Sequence, residues 1–233
     1  MISPKKVLII IPVYNESKHI SAVIRDLKNR QLHVCVINDG SSDNTSEVVQ
    51  REKIDKFIDL KTNHGKGYAL RQGFDYAMQN SYEWVVIMDG DGQHRVSDLD
   101  RFFSSNPHVR TAIINGNRLN KYNHMPWPRY LTNKAMSLLI SALAGQWIHD
   151  CQCGYKMLRT EYLRLANFRC HRFEIEDEIL LEASRLGYRI DHVPVSTVYA
   201  EETSHIHPWR DTIRFFRFLL EWKTRYKSRP HSK

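Results

Sequence analysis

In Trp84-Val85-Val86-Ile87-Met88-Asp89-Gly90-Asp91-Gly92-Gln93-His94 an apolar run meets two acids with no transition. The first five residues are apolar and partly β-branched, which reads as a strand buried on both faces, as in a parallel sheet covered by helices. The run ends on two carboxylates with one glycine between them and another after. Two anions side by side repel unless a cation sits there. Asp and Gln offer hard oxygen ligands, which suit magnesium or manganese and argue against zinc. The glycines let a diphosphate come close to the backbone. The stretch reads as a metal site holding the diphosphate of a nucleotide. A ligand-free turn rich in Asp and Gly is the plainer alternative.

The same rhythm extends on both sides. Val7 to Ile11 reads as a first buried strand ended by Pro12, which cannot donate to a sheet. After the turn Tyr14-Asn15-Glu16-Ser17, Ile20, Val23, Ile24 and Leu27 keep helical spacing. His33 to Asn38 is a second strand, broken by the turn-rich Asp39-Gly40-Ser41-Ser42-Asp43-Asn44-Thr45, with Asp43 taken as a helix cap. A helix with Val48 and Val49 and a short strand from Phe57 to Leu60 follow. Asn63-His64-Gly65-Lys66-Gly67 opens a helix with Ala69, Leu70, Phe74, Ala77 and Met78 on its inner side. Strands alternating with helices predict an α/β protein with a mostly parallel sheet and right-handed crossovers. Ligands bind beyond the carboxyl ends of such strands. That rule gathers Tyr14, Glu16, Asp39, Asp89 and Asp91 on one rim. In the less regular second half, Ala112 to Asn115, Tyr155 to Leu158 and Tyr188 to Val195 read as strands. Leu131 to Ile148 and Ile175 to Leu186 read as helices, the latter stopped by Gly187.

At 233 residues the chain has room for one good-sized α/β domain and little more. Its 34 basic against 26 acidic residues give +8, a surplus that favours anionic partners: phosphorylated lipid, acidic membrane, nucleotide or nucleic acid. No RNA-binding motif with interleaved aromatics is visible, so a nucleic-acid partner is not expected. Four cysteines at this length make no disulfide scaffold and fit a reduced, cytosolic setting. The first residues run straight into a strand and do not read as a signal peptide. The longest uncharged run, Ala135 to Ile148, falls short of the roughly 20 residues that span a bilayer. From Trp209 to Lys227, Arg210, Arg214, Arg217 and Arg225 share one narrow helical face, and Trp209, Phe215, Phe218, Trp222 and other apolar residues fill the remainder. Such a helix fits a membrane interface, or packing on the domain or at a dimer contact.

Together, Ile11-Pro12-Val13-Tyr14-Asn15-Glu16, Asn38-Asp39-Gly40-Ser41-Ser42-Asp43, Gly65-Lys66-Gly67 and Asp89-Gly90-Asp91-Gly92-Gln93-His94 resemble the motifs of family 2 glycosyltransferases, which have the Rossmann-like GT-A fold. Gly116-Asn117-Arg118, Arg129, Asp150-Cys151-Gln152-Cys153-Gly154-Tyr155-Lys156 and Glu174-Ile175-Glu176-Asp177-Glu178 are similar to segments of the polyprenyl-phosphate and dolichol-phosphate mannosyl- and glucosyltransferases. The resemblance runs over about residues 6 to 205, which leaves 206–233 as a basic amphipathic helix and tail. It implies an inverting transfer of a hexose from a uridine or guanosine diphosphate sugar to polyprenyl phosphate, on the cytoplasmic face of a membrane, with Mg2+ or Mn2+. Pro12, Tyr14, Glu16, Ile37 and Asp39 would hold base and ribose. Asp89, with Gly90, would contact the nucleotide sugar, and Lys66 its phosphate unless it is merely a solvated helix-start lysine. Asp91 and Gln93 would hold the metal. Arg118, Arg129 and Ser204 are the candidates for the acceptor phosphate.

A phosphate monoester is largely ionised near neutral pH and asks for cations, whereas a hydroxyl acceptor asks for a general base. Glu176, Asp177 and Glu178 stand where hydroxyl-type relatives keep that base, and Asp177 carries the role in the alternative reading, a hydroxyl acceptor on a lipid-linked or cell-envelope glycan. One departure stands out. After Val193-Pro194-Val195 the relatives carry Arg, Gly, Ser and Lys, where this chain has Tyr199, Glu202, Ser204 and His205. A third reading, a non-catalytic nucleotide-sugar-binding protein, is opposed by the intact Asp89 and Asp91.

Overall fold

A computed structural model of the chain describes residues 1–119, 125–196 and 208–226. The chain divides into two compact units, Met1–Ala200 and Glu201–Lys233. The first holds a seven-stranded sheet of β1 (Val7–Val13), β2 (His33–Asp39), β3 (Lys56–Leu60), β4 (Trp84–Ile87), β5 (Thr111–Asn117), β6 (Lys156–Arg159) and β7 (Arg189–Pro194), in the spatial order β3-β2-β1-β4-β6-β5-β7. Around it lie α1 (Ile20–Asn29), α2 (Thr45–Gln50), α3 (Lys66–Gln79), α4 (Leu99–Phe103), α5 (Trp127–Ala144), α6 (Thr160–Leu165) and α7 (Ile175–Arg185). Every strand pair is parallel except the two that β6 makes, with β4 and with β5. This is the mostly parallel α/β sheet expected of the GT-A fold.

The central strands are buried on both faces, as their unbroken apolar runs require. Ile9 and Ile11 join a cluster with Ile20, Ile24 and Leu27 of α1. Ile10 turns the other way toward α3, where a Cβ on Gly73 would come within 2.6 Å of its Cγ2. Fully burying each such side chain contributes about 1.5–3 kcal/mol.

Three expectations change. β1 does not stop at Pro12 but runs through it to Val13, pairing Pro12 with Ile37 of β2. Residues two apart in a strand point the same way. The Ile10 carbonyl accepts from the Met88 N–H just past the end of β4, so the nitrogen of Pro12 faces a side where no strand remains, and no ladder bond is lost. The long apolar helix is α5, shifted toward the N-terminus. Pro126 caps it, Pro128 sits in its first turn, and Gly145 ends it at φ +66°. The chain then folds back, and the Ile148 N–H donates to Ser141 Oγ at 2.9 Å. Finally, the apolar run of β6 marks a strand but carries no sign of its reversed direction.

That reversal shapes the rim. The carboxyl ends of β1, β2, β4 and β5 share one edge, and β6 begins at this edge. Residues 150–155 are thereby delivered beside the Asp89 loop. In the second unit, α8 (Pro208–Tyr226) is a single helix in which Arg217 pairs with Glu221 one turn on, at 2.8 Å. Among the described residues no helix is long and apolar enough to cross a membrane.

Candidate active site

The loops after β1 and β2 are laced together by short polar side chains. Asn15, in the left-handed region at φ +59°, donates its N–H to Ser41 Oγ, and its Oδ1 accepts the Ser42 N–H. The Glu16 N–H donates to Thr45 Oγ1 at 2.8 Å and the Ser17 N–H to Asp43 Oδ2. Asp43 Oδ1 also accepts the Thr45 N–H at the head of α2, from the residue before the N-cap position, which is Asn44 and not Asp43 as expected. Tyr14 stands 48% exposed at this edge, with an open face available for stacking. Asp39 spends both oxygens on backbone, accepting from the His64 and Gly65 N–H groups at 2.8 and 2.7 Å. It ties the end of β2 to the start of α3. Ile37 is fully buried, with Gly73 of α3 beside its Cδ1, so its side chain belongs to the core and not to the rim.

At the end of β4 the chain passes so close to β1 that a Cβ on Gly90 would lie 2.6 Å from Val13 Cγ1; only glycine fits. Asp89 Oδ1 receives Lys66 Nζ at 2.6 Å, and the same ammonium donates to Glu176 Oε1 at 2.6 Å. Lys156 lies 3.7 Å from the second oxygen of Glu176 and also bonds the Cys151 and Cys153 carbonyls. Burial by itself would raise the pKa of Asp89, but the Lys66 ammonium overrides it and holds the acid well below the usual carboxylate range. The imidazole of His94 accepts the Asp89 N–H on Nδ1, and burial keeps that ring neutral, its pKa pushed down to about 4. Two cations and two anions thus balance at the rim. Asp91 is half-buried, with Oδ1 accepting the Gln93 N–H at 2.9 Å across Gly92, whose φ is +77°.

The three acids of α7 separate in role. Glu176 belongs to the lysine network. Glu178 Oε2 accepts the Arg169 and Cys170 N–H groups, both at 2.9 Å, and anchors the loop before the helix. Asp177 lies beside the Gln152 amide and the Cys151 thiol, with the Lys156 and Glu176 charges near it. Gln152 Nε2 donates to it at 3.2 Å, and burial pushes its pKa up to about 7. Folding therefore favours its protonated form, and stability falls as pH rises from the ordinary 3.8 toward about 7. Asp177→Asn, a neutral isostere, is expected to melt above the wild type at pH 8 and to lose that margin near pH 4, in parallel thermal scans.

Arg118, at the end of β5, grips Asp150 with Nε at 2.8 Å and Nη2 at 3.0 Å. Asp150 is fully buried. The Nε–Nη2 edge of the guanidinium is thereby taken, and the Arg118 side chain is itself buried. Arg129 lies half-buried in the first turn of α5. Ser204, with Tyr199, Glu202, His205 and His207, lies outside the described residues. The structure thus brings Asp89, Lys66 and Glu176 together, and with them Gly154, where a Cβ would sit 2.6 Å from Asp89 Oδ2. Sequence reasoning quoted Gly154, Gln152 and Lys156 within one motif but assigned them no task. The one clue was a lysine opening an apolar strand.

Among the described residues no group of three or more His, Cys, Asp or Glu side chains converges as a metal cage. A hard divalent ion fits this donor set all the same. Magnesium-type ions are commonly held by one or two carboxylates, with substrate phosphates and water completing the shell.

The sequence model for glycosyl transferase family 2 matches residues 8–165. The chain belongs to glycosyltransferase family 2. It is 26% identical to the UDP-N-acetylglucosamine–dolichyl-phosphate N-acetylglucosaminyltransferase of Methanococcus voltae, covering 84% of this chain and 87% of that protein. It is 28% identical to the undecaprenyl-phosphate mannosyltransferase of Micrococcus luteus, covering 84% and 85%. In fold it superposes on glucosyl-3-phosphoglycerate synthase of Mycobacterium tuberculosis, crystallised with Mn2+, UDP and glucosyl-3-phosphoglycerate. The TM-score is 0.68 at 16% identity, over 97% of this chain and 82% of that one. This glycosyltransferase is therefore related to the polyprenyl-phosphate sugar transferases and shares their GT-A fold.

Proposed function

We propose that this glycosyltransferase moves a hexose from a uridine or guanosine diphosphate sugar to polyprenyl phosphate, with inversion at the sugar. The observation that carries the reading is the Asp89–Asp91 loop at the rim. One acid is held ionised by Lys66, and the other lies half-buried beside Gln93 on a loop that Gly90 lets pass close against Val13 of β1. Kinship with lipid-phosphate sugar transferases supports the acceptor.

In this reading Tyr14 stacks on the base, Glu16 and Asp39 accept from base or ribose hydroxyls, and Asp89 and Glu176 orient the sugar. Asp91 and Gln93 hold a Mg2+ or Mn2+ ion, which when bound offsets the charge that gathers on the departing diphosphate. The anomeric C–O bond to the nucleoside diphosphate breaks as an oxygen of the lipid phosphate bonds to the same carbon from the opposite face. The nucleoside diphosphate leaves with the bonding electron pair. Arg118, Arg129 and Ser204 steady the incoming phosphate, guanidinium being suited to it by its planar fork. The domain is taken as residues 1–205. The tail 206–233 lies on the cytoplasmic face of the membrane, with α8 in the interface and its arginines at lipid phosphates.

A panel of UDP- and GDP-linked hexoses and N-acetylhexosamines, offered with Mn2+ and a short polyprenyl phosphate, tests the reaction. Transfer from one base and one sugar is expected. Transfer to no lipid phosphate overturns the acceptor. For the tail, vesicle flotation of the chain with and without residues after Pro208 should differ; equal flotation removes the membrane role of α8.

The second reading keeps donor and fold but uses a hydroxyl acceptor. It is favoured by one observation, the burial of Asp177 beside Gln152, which pushes its pKa up to about 7 and suits a general base. Asp177→Asn separates the two: near-complete loss of transfer supports a hydroxyl acceptor, and a mild loss supports the phosphate.

A further inference from the structure

We propose that His94 is a positioning residue for the transfer reaction, acting through Asp89, whose backbone N–H its ring holds at the rim. The Asp89 N–H donates to His94 Nδ1 at 3.2 Å. With that lone pair engaged, the neutral ring carries its proton on Nε2. Nε2 in turn faces Asp89 Oδ2 at 3.8 Å, on the side away from the Lys66 ammonium on Oδ1.

The ring is itself fixed from below. It stacks on Tyr155 with centroids 4.7 Å apart and planes 16° apart, and Tyr155 packs on Phe102 at 4.9 Å. Tyr155 Oη donates to the Arg95 carbonyl at 3.4 Å. The imidazole is thus a wedge between the core and the loop from Asp89 to His94. That loop contains Gly90 and Gly92, the latter at φ +77° with open space around it, and such residues give the backbone freedom of its own. A hydrogen bond from residue 89 to residue 94 closes the loop across its base. Asp89 is then gripped at its N–H and at one carboxylate oxygen, and faced at the other, by two side chains that need no substrate to be in place.

A histidine that merely fills the core would change stability and rate together. A positioning residue changes rate, because displacing a binding group by about 1 Å costs about 100-fold. This rate readout rests on the glycosyl-transfer reading; the structural readout does not. In His94→Gln the amide cannot present an acceptor where Nδ1 stood, whereas in His94→Asn Oδ1 takes that place. Both amide variants lose the stacking on Tyr155 and should melt below the wild type by a similar margin, but His94→Gln is expected to lower kcat about 10- to 100-fold and His94→Asn to recover most of that loss. Amide exchange at Asp89 should accelerate in the Gln variant and be protected again in the Asn variant. Nitrogen-15 spectra of the wild-type ring should show a bare Nδ1 and a protonated Nε2. A protonated Nδ1, or equal turnover and equal Asp89 exchange in the two amide variants, overturns the proposal. If the wild type transfers sugar from no donor, the functional reading fails, and the ring tautomer with the Asp89 exchange rates still decides the role of His94.

Discussion

Asp91→Ala is expected to slow glycosyl transfer by about a thousandfold or more, some 4 kcal/mol of transition-state stabilisation. The two acids of the loop differ in what else depends on them. Removing Asp89 would leave the buried Lys66 ammonium with one carboxylate instead of two, so activity and stability would fall together. Asp91 is half-buried, and its Oδ1 accepts the N–H of Gln93 in its own loop. Asp91→Asn keeps that local bond and loses only the charge, and should fall between the two. Initial rates over a range of Mn2+ concentrations check this. Turnover of Asp91→Ala close to the wild type would remove the metal from Asp91.

Arg118→Met should be the most destabilising single change at the rim. Asp150 is fully buried and held by both nitrogens of one guanidinium edge and by the Arg118 N–H at 3.2 Å. Burial would raise its pKa, but the adjacent Arg118 charge outweighs this and lowers it. Stranding such a carboxylate costs about 3–5 kcal/mol. For a chain of this size that corresponds to a fall in Tm of roughly 6–20 °C. Because the folded pKa is depressed, the stabilising contribution of Asp150 is present above its unfolded value of about 3.9 and is lost as pH falls through the folded one. Arg118→Met should accordingly lose most against the wild type at neutral pH and least in acid. Replacing Asp150 with Leu in the same chain should return much of the loss. Urea unfolding of the single and double variants at two pH values measures both effects.

The sheet was legible wherever side chains alternate with backbone constraints that act locally. The double-faced burial of β1 and β4 is written in unbroken Val and Ile. The inner row of α1 sits at Ile20, Val23, Ile24 and Leu27, all of them buried. The start of α3 is announced by Gly65, which at φ +96° takes a conformation open mainly to glycine. What escaped was set by partners distant in sequence. Nothing in Tyr155-Lys156-Met157-Leu158 tells that β6 runs against β4, since direction depends on where α5 returns the chain. The helices α4 and α6, of five and six residues, are too short for periodicity to register. At the site, the acids after β4 stood out because two carboxylates end an apolar run. Lys66 was visible as a candidate cation, but its pairing with Glu176, 110 residues away, was not, and Lys156 looks like an ordinary surface lysine until the sheet closes over it. Asp39 was visible as a rim acid, but its two bonds to the head of α3 were not.

The reversed strand divides the sheet in a way that bears on how the molecule is made. Strands β3, β2, β1 and β4 come from residues 7 to 87, and β6, β5 and β7 from residues 111 to 194, so each group is contiguous in the chain. They join along a single four-residue seam, Trp84 to Ile87 against Lys156 to Arg159. During synthesis the first group can emerge from the ribosome and pair before any residue of the second exists. Its outer strand β4 must then wait, edge exposed, for about seventy further residues. The acidic loop leaves the ribosome early with Lys66 already made, and Glu176, the second partner of that lysine, arrives only after the strand that seals the seam.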